Sequence, residues 1–249
     1  MRPLRSGAVI EVFGELDSTS LEAKRRAHAA DRAVWIVALR QTSGYGRRGA
    51  AWRQSEGDVA ATLLFPTSAA IETLPQLSFV AALATFDAIQ RYAPSARLTL
   101  KWPNDVLADG KKIAGLLLEL IGTPPRQLVA IGVGVNIVAA PVLAEYATAR
   151  MIDYCSPPPP PRDFVETLDE TFCAWRARWE AEGFAEIRNE WLGRAARLGE
   201  RIQVRLPAET VEGVFRDLDS EGNLILELPT GRRAIAAGAI LPPNSPARS

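Results

Sequence analysis

Three stretches of the chain carry apolar residues at helical spacing. Residues 19–32 open with Thr19 and Glu22, the pattern of a capping box. Residues 74–92 repeat apolar side chains every three or four positions. The third stretch is rich in aromatic residues and comprises Phe164, Leu168, Phe172, Trp175 and Trp179, with Trp191 on a second short helix beyond it. Because this spacing places apolar residues on one helix face, we predict helices in all three stretches and an aromatic stripe in the core.

Shorter apolar runs predict β-strands. The runs are residues 34–39, 59–65, 98–102, 106–108, 113–121 and 128–138. Asp109-Gly110 separates two of them, and this dipeptide is a strong signal for a two-residue hairpin turn. One helix followed by mostly adjacent strands indicates an α+β fold, in which helices cover one face of a mixed β-sheet.

The C-terminal part of the chain has a different pattern. The prolines of residues 157–161 predict a stiff, extended connector. From Leu198, short apolar runs at residues 201–206, 211–215, 224–228 and 233–240 alternate with turn residues, which predicts a small β-barrel. A unit of about 45 residues is marginal alone, so we expect it to dock on the main domain. The predicted domains are residues 1–196 and 197–249.

Composition excludes several classes of protein. The 249 residues contain 29 Lys plus Arg and 29 Asp plus Glu, so no overall field attracts nucleic acid or anionic lipid. No apolar run approaches the roughly 20 residues of a membrane span, and no signal peptide is apparent. Cys155 and Cys173 lie far from His28, the only histidine, so no metal site is assigned. We expect a cytoplasmic protein with neither a membrane nor a nucleic-acid partner.

Positive charge is concentrated in three short segments built around Gly or Pro. They are Gly44-Tyr45-Gly46-Arg47-Arg48-Gly49, Lys101-Trp102-Pro103-Asn104-Asp105 and Lys112-Ile113-Ala114-Gly115-Leu116. Two anions about 4 Å apart repel by roughly 4 kcal/mol near a protein surface, so an enzyme that joins them must supply fixed cations. The three segments therefore predict a site that holds phosphate against a second anion.

Two of the three segments also have a simpler interpretation. The glycine segment matches the dinucleotide fingerprint Gly-x-Gly-x-x-Gly, but residues 50–58 lack the helical pattern that this fingerprint requires. A surface loop is the alternative, although adjacent Arg47 and Arg48 favour anion binding. The second segment could be only a strand end with a turn, and Asn104 or Asp105 could instead orient a ligand or Mg²⁺.

Two further motifs carry weaker signals. Asp17-Ser18-Thr19 is either a helix cap or a ligand contact through a hydroxyl group. Gly132-x-Gly134-x-Asn136 lies in a predicted strand, where glycines allow close approach and Asn136 can pair with an adenine edge.

Taken together, the motifs resemble the signature set of bacterial biotin-protein ligases. The set comprises Asp17-Ser18-Thr19, Gln41-x-x-Gly44-x-Gly46-Arg47-Arg48-Gly49-x-x-Trp52, Lys101-Trp102-Pro103-Asn104-Asp105, Lys112-x-Ala114-Gly115-x-Leu117-x-Glu119 and Gly132-x-Gly134-x-Asn136. The resemblance implies a class II synthetase-like catalytic domain, with a mixed β-sheet flanked by helices, and an SH3-like C-terminal barrel. It also implies two half-reactions: biotin and ATP give biotinyl-5′-AMP, and biotin then passes to a lysine of a biotin carboxyl carrier protein.

The resemblance also implies a role for each motif residue. The implied catalytic residues are Arg47, Lys101, Lys112 and Asp105. The implied biotin-binding residues are Ser18, Thr19, Gln41, Gly44, Arg47, Lys101 and Gly115. The implied nucleotide-binding residues are Arg48, Trp52, Asn104, Lys112 and Asn136. ATP and Mg²⁺ are the implied cosubstrates, and the glycine-rich loop would close over the adenylate as a lid.

The chain departs from the family pattern in two places. The commonest family loop reads Gly-Arg-Gly-Arg-Arg-Gly-Arg, whereas Tyr45 and Ala50 replace its first and last arginines here. We expect weaker ATP affinity or a substitute cation. Only 14 residues precede Glu15, too few for a helix-turn-helix domain, so we expect a dedicated ligase and not a repressor.

Two rival functions and one open property remain at this level. A lipoate-protein ligase has a related fold and the same activation chemistry, but its pocket would be more apolar. A non-catalytic biotin or nucleotide sensor is the rival from another class, suggested by Ala50. Sheet-edge dimers are frequent in the family, so a homodimer is possible.

Overall fold

The computed structural model of the protein describes residues 4–122, 127–143 and 146–242. The strands of the first sheet are β1 (Val9–Leu16), β2 (Val34–Gln41), β3 (Val59–Thr67), β4 (Leu98–Lys101), β5 (Asp105–Ala108), β6 (Lys111–Ile121) and β7 (Gln127–Val135). The helices are α1 (Thr19–Arg26), α2 (Leu77–Tyr92), α3 (Pro161–Glu182) and α4 (Phe184–Leu192). Short 3₁₀ turns cover Arg47–Gly49, Ile71–Gln76 and Met151–Asp153. The second sheet contains β8 (Arg201–Arg205), β9 (Thr210–Leu218), β10 (Leu224–Leu228), β11 (Gly231–Ile235) and β12 (Ala239–Ile240).

The first sheet is mixed, as the sequence predicts. Its strand order is β1-β2-β3-β7-β6-β5-β4. The pair β1 and β2 is parallel, and the other pairs are antiparallel. Strand β1 is absent from the predicted strands, because glutamates and a glycine interrupt its apolar pattern. The α+β fold class is therefore confirmed, with one additional strand at the edge of the sheet.

Helices lie on both faces of this sheet, so the expectation of one covered face was wrong. Most of α2, α3 and α4 packs into the larger buried cluster, together with Trp35 and Phe65 of the sheet. Ala23 of α1 packs instead into a separate cluster with Ile36 and Leu64. Neighbouring residues of one strand point to opposite faces, so the two clusters lie on opposite sides of the sheet.

Helix α1 differs from its prediction at both ends. The N-cap is Ser18, whose side chain accepts the backbone N–H of Ser20, so the predicted capping box with Thr19 and Glu22 is wrong. The Glu22 carboxylate pairs with Arg25 and Arg26 instead. The helix ends at Arg26, where turns replace the helical pattern that was expected to continue to residue 32.

The aromatic stripe is confirmed as core. Phe164, Leu168, Phe172, Trp175 and Trp179 are all at most 9% exposed. Their helix begins at Pro161, so the last proline of the predicted connector belongs to a helix. A proline is tolerated there, because the first helical N–H has no partner within the helix.

The Asp-Gly hairpin forms between β5 and β6. Asp109 has φ 48° and Gly110 has φ 75°, the left-handed conformations that such a turn requires. A second, tight reversal joins β4 to β5, so Lys101 is paired with Asp105 in the register. On the other side, Asp105 is paired with Gly115 of β6. Two hairpins thus bring the second and third cationic segments together.

The C-terminal strands form a five-stranded antiparallel sheet in the order β11-β10-β9-β8-β12, which agrees with an SH3-like domain. The predicted strand at residues 233–240 divides into β11 and β12. Phe215 is fully buried in the same cluster as the main domain, so the small sheet docks as expected. The segment between α4 and β8 also contacts β4, because the Leu100 backbone N–H donates to Arg194 O at 2.8 Å. Among the described residues, no helix is long and apolar enough to cross a membrane.

Candidate functional site

The second and third cationic segments meet at Asp105. Lys112 Nζ lies 2.7 Å from Asp105 Oδ1, and Lys101 Nζ lies 3.9 Å from Asp105 Oδ2. One carboxylate thus holds two ammonium groups, each at a different oxygen. Burial pushes the pKa of Lys112 down, but the attraction of Asp105 and Tyr146 outweighs it and the net pKa is raised. The group therefore carries a net positive charge in a partly buried setting.

Aromatic rings cover these lysines. Tyr146 lies with its ring centroid 5.8 Å from Lys101 Nζ and 5.3 Å from Lys112 Nζ. Trp52 approaches Lys112 Nζ from another direction, at 5.5 Å. Such cation–π contacts stabilise an ammonium group and restrict where it can point. Sequence reasoning missed Tyr146, which lies outside every recognisable motif.

Two glycines form the floor beneath Trp52. Gly115 and Gly134 face each other across β6 and β7. A Cβ at Gly134 would overlap the Trp52 indole, and one at Gly115 would lie 3.1 Å from Trp52 Cζ3. The buried indole Nε1 has no hydrogen-bond partner among the described residues. The Trp52 indole can therefore lie against the sheet only because these two positions have no side chain.

A buried network of polar side chains forms the other end of the site. Gln41 Oε1 accepts the Thr19 N–H at 2.8 Å and the Thr19 hydroxyl at 3.2 Å. The Thr62 hydroxyl donates in turn to Thr19 Oγ1 at 2.8 Å. These donors fix the amide of Gln41, whose NH₂ group lies against Gly44. A Cβ at Gly44 would be only 2.6 Å from Gln41 Nε2, so Gly44 acts by leaving room for that amide.

The glycine-rich loop lies over the cavity. Gly46 N–H donates to Ala50 O at 2.7 Å, and Tyr45 forms an antiparallel bridge with Ala51. The tip, Arg47–Gly49, is a single 3₁₀ turn and does not open a helix, as the sequence predicts. Burial is the main cause that lowers the pKa of Arg47, followed by repulsion from Arg48.

One cavity of about 370 Å³ joins both ends of the site. Eleven of the predicted site residues line it, namely Ser18, Thr19, Gln41, Arg47, Arg48, Trp52, Lys101, Asn104, Asp105, Lys112 and Gly115. This volume lies within the range of small-molecule sites. Asn104 also braces the hairpin, because its Nδ2 donates to Leu116 O at 2.5 Å. Gly44 does not line the cavity, but its lack of a side chain leaves room for the Gln41 amide.

Asn136 does not lie where the sequence placed it. Its side chain is 2% exposed and does not line the cavity. Its Nδ2 donates to Ala149 O at 3.0 Å, and its backbone carbonyl oxygen accepts the Met151 N–H at 3.0 Å. Asn136 therefore fixes the segment that follows Tyr146 in this structure, and its contact with adenine stays a prediction.

The C-terminal sheet also contributes to the cavity, which sequence reasoning missed. The residues that it supplies are Arg205, Gly238, Ala239 and Ile240. They lie in or beside β8 and β12, 69 or more positions after Asn136, the last motif residue, so local pattern carries no signal for them. The small domain thus completes a wall of the site.

The acidic residue of the site suits a metal ion that arrives with phosphate. Asp105 is the only acidic residue among the described residues that line the cavity. Within the described ranges, no group of three or more His, Cys, Asp and Glu side chains could hold a metal ion. Mg²⁺ is commonly held by one or two carboxylates together with substrate phosphates and water. Asp105 fits that arrangement, although it already pairs with Lys112.

Comparison with known proteins agrees with this geometry. Residues 12–136 match the biotin/lipoate A/B protein ligase family, and residues 198–241 match the biotin protein ligase C-terminal domain. The biotin–[acetyl-CoA-carboxylase] ligase of Paracoccus denitrificans is 41% identical over 92% of this chain and 98% of its own. The ligase of the same name from Mycobacterium tuberculosis is 28% identical over 93% and 88%.

A solved structure shows the same fold. It is the biotin protein ligase from Aquifex aeolicus in complex with biotin and ATP, with a TM-score of 0.79, 23% identity, and coverage of 93% of this chain and 97% of that one. At this identity the likeness concerns the fold. From the family match and the Paracoccus relative together, the chain belongs to the biotin/lipoate A/B protein ligase family, and within it to the biotin protein ligases.

Proposed function

We propose that the protein is an ATP-dependent biotin-protein ligase, which first forms biotinyl-5′-AMP and then transfers biotin to a lysine of a biotin carboxyl carrier protein. The observation that carries the proposal is a single cavity with two chemically different ends. One end has the oriented amide of Gln41, and the other has Lys101 and Lys112 held by Asp105. A polar head group and an anionic tail on one small molecule match that arrangement.

The polar end suits the ureido ring of biotin. Because Gln41 Oε1 already accepts two donors from Thr19, its NH₂ group remains to donate towards a carbonyl oxygen. Ser18 has its Oγ engaged as the acceptor of the helix cap, so its hydroxyl hydrogen can still be donated. Donors that converge on one carbonyl discriminate against a ligand that lacks it, because the buried donors would then be unpaired.

The cationic end suits adenylation. A carboxylate oxygen of biotin attacks the α-phosphorus of ATP, and the new P–O bond forms as the bond to pyrophosphate breaks. Both reactants are anions, and negative charge builds on the phosphoryl oxygens. Lys101, Lys112 and Arg47 line the cavity where they can neutralise that charge. Their positions are fixed beforehand by Asp105, Tyr146 and the loop, so little reorganisation is needed.

Mg²⁺ would enter this site with the phosphates of ATP. It supplies charge neutralisation on the leaving pyrophosphate when it is bound. Asp105 is the residue that would hold it, since it is the acidic member of the described cavity lining. Arg48 and Asn104 line the same region and are proposed to contact the nucleotide, whereas Trp52 offers its indole face for stacking on adenine.

The glycine-rich loop is proposed to protect the intermediate. An acyl-adenylate is an activated anhydride that water can hydrolyse, so a cover that excludes water favours transfer. Arg47 lines the cavity from this loop and is proposed to clamp the acyl-phosphate end. In the second half-reaction a neutral lysine amine attacks the carbonyl carbon, AMP leaves with the electron pair of the broken C–O bond, and the nitrogen loses a proton to solvent as the amide forms.

Incubation with biotin, ATP, Mg²⁺ and a carrier protein tests the proposal. The expected result is a carrier heavier by one biotinyl group, with AMP and pyrophosphate as products. Binding of either ligand without any gain in carrier mass would instead support the non-catalytic sensor. The acceptor is proposed by similarity to the Paracoccus ligase, whose name specifies acetyl-CoA carboxylase.

A lipoate-protein ligase is the second candidate, and the polar end of the cavity argues against it. The dithiolane ring of lipoate has no carbonyl group for Gln41 to meet. Calorimetric titration with each acid separates the two: we expect saturable binding of biotin and none of lipoate at equal concentration. Saturable lipoate binding without biotin binding would reverse the assignment.

We further propose the division into a catalytic domain of residues 1–196 and a barrel domain of residues 197–249. The change from helix α4 to short strands supports this boundary. A cytoplasmic location is proposed from the need for ATP, and the absence of a nucleic-acid partner from the balanced charge. A homodimer stays a prediction, for which β1 offers a sheet edge that exposes Val12.

A further inference from the structure

Three side chains from three different elements meet at the rim of the cavity. Lys24 comes from α1, Tyr45 from the glycine-rich loop and Glu119 from β6. Lys24 Nζ lies 2.7 Å from Glu119 Oε1 and 3.1 Å from the Tyr45 hydroxyl oxygen. That hydroxyl donates to Glu119, at 3.3 Å from Oε1 and 3.2 Å from Oε2. We refer to these three residues as the rim cluster.

The charges and hydrogen bonds of the rim cluster are mutually consistent. The ammonium group donates to the hydroxyl oxygen, and the hydroxyl hydrogen is donated to the carboxylate. Hydrogen bonds arranged in this order reinforce one another. Burial, followed by the field of Glu119, keeps the pKa of Tyr45 raised, whereas its hydrogen bond with Lys24 opposes the rise. The phenol therefore remains a donor at neutral pH.

Tyr45 connects this cluster to the cavity. It lines the cavity itself, and its backbone bridges Ala51 on the returning half of the loop. The loop backbone between these two residues is closed by Gly46 and Ala50. An anchor at Tyr45 is therefore transmitted to the whole loop, including Arg47 at its tip.

We propose that the rim cluster anchors the glycine-rich loop over the cavity before any ligand binds, with Lys24 and Glu119 as positioning residues for Arg47. The proposal deepens the proposed function, because a loop anchored in this way would retain the adenylate. It also explains how the chain accommodates a tyrosine at position 45, where the family loop usually has an arginine. The cation that pairs with the Glu119 carboxylate is Lys24 of α1.

Charge reversal tests the anchor without any reaction. Lys24→Glu places two carboxylates together, Glu119→Lys places two ammonium groups together, and the double variant restores an ion pair of reversed sign. Arg47 and Arg48 make the loop a tryptic site, so the rate of cleavage there reports how often it opens. Cleavage in the ligand-free protein is followed by the masses of the two fragments.

Each single variant should be cut at Arg47 or Arg48 about fivefold faster than the original protein, which corresponds to the upper end of the stabilisation that a partly exposed ion pair provides. The double variant should return close to the original rate. Arg91→Met is the matched control, because it removes an exposed ion pair with Glu170 between α2 and α3, away from the cavity. Cleavage that is unchanged in both single variants, or equally fast in the double variant, overturns the proposal.

Tyr45→Phe provides a variant that keeps the ring and removes only the hydroxyl, in case charge reversal impairs folding. It should also accelerate tryptic cleavage, with an unchanged thermal midpoint. In a second readout, each single variant should release more free biotinyl-adenylate than the original protein, while adenylate synthesis changes less than about twofold. An absence of adenylate in the original protein would refute the proposed function, whereas the cleavage experiment would still decide whether the anchor exists.

Discussion

The indole Nε1 of Trp102 donates a hydrogen bond of 3.1 Å to the carbonyl oxygen of Gly222, across 120 positions of sequence. Trp102 belongs to the turn that follows Lys101, and Gly222 lies in the β9–β10 turn of the small C-terminal sheet. The indole is only 2% exposed, so the bond is shielded from water. The β4–β5 hairpin, which carries Lys101, is therefore tied directly to the second sheet.

Trp102→Phe should weaken this connection. The phenyl ring fills most of the space but leaves the Gly222 carbonyl without its donor, which costs about 1–3 kcal/mol for a buried group. We expect a loss of that size in the free energy of unfolding by urea, together with slower ATP–pyrophosphate exchange. A variant with slower exchange and unchanged stability would show that the bond positions Lys101 without stabilising the fold.

Lys101→Ala should depress adenylation itself. Loss of one preorganised charge at a developing anion costs about a hundredfold or more in rate. Lys111→Ala is the matched control, because Lys111 is exposed on the neighbouring hairpin and does not line the cavity. The measurement is biotin-dependent ATP–pyrophosphate exchange. Near-normal exchange in Lys101→Ala would remove this lysine from the mechanism.

Arg47→Gly should separate synthesis of the adenylate from its retention. The remaining cations Lys101 and Lys112 still support adenylation, but the clamp from the loop is lost. We expect free biotinyl-adenylate to accumulate in solution, measured by chromatography after a single turnover without carrier. If the variant retains the intermediate as well as the original protein does, Arg47 is not the clamp.

Asp105→Asn should shift the pH dependence of adenylation. Burial lowers the pKa of Lys112, and the attraction of Asp105 is the largest of the effects that raise it. Without the carboxylate, burial dominates and the pKa of Lys112 falls. The ammonium form is then lost at lower pH, so the alkaline limb of the exchange rate should move towards neutrality. An alkaline limb at its original position would show that Lys112 does not need Asp105.

Gly134→Ala should impair ligand binding through Trp52. The added Cβ would overlap the indole, which must then move into the cavity. Overpacking of this kind costs about 1–3 kcal/mol, so we expect at least about fivefold weaker binding of biotin or nucleotide by calorimetry. Gly14→Ala is the control, because its Cβ would meet nothing within 4 Å. Equal affinity in both variants would show that the indole moves freely.

Local sequence pattern predicted most of the elements because their signals are local. The Asp109-Gly110 turn needs left-handed backbone, and the aromatic stripe of α3 needs only helical periodicity. Strand β1 and the end of α1 were not predicted, because they do not depend on local pattern alone. Strand β1 exists through parallel pairing with β2, and α1 ends at Arg26 before its apolar pattern does, and neither is visible in a short window.

The chemistry of the site could also be predicted from the types of residue in the motifs. Lysines beside Gly and Pro, with an aspartate between them in the sequence, indicate an anion site wherever they are brought together. The residue pattern alone therefore predicted which charges the site contains and the Asp109-Gly110 hairpin beside them. It also placed the tyrosine and the alanine that depart from the family loop.

Which of these side chains enter the cavity, and which residues they contact, depends on the three-dimensional fold. Asn136 is withdrawn from the cavity and braces the chain after Tyr146, whereas Tyr146 enters and covers both lysines. Lys24 reaches Glu119 from another element, and Trp102 reaches Gly222 from another domain. Such contacts join positions far apart in the chain, so their energies depend on the whole fold, and a local pattern carries no trace of them.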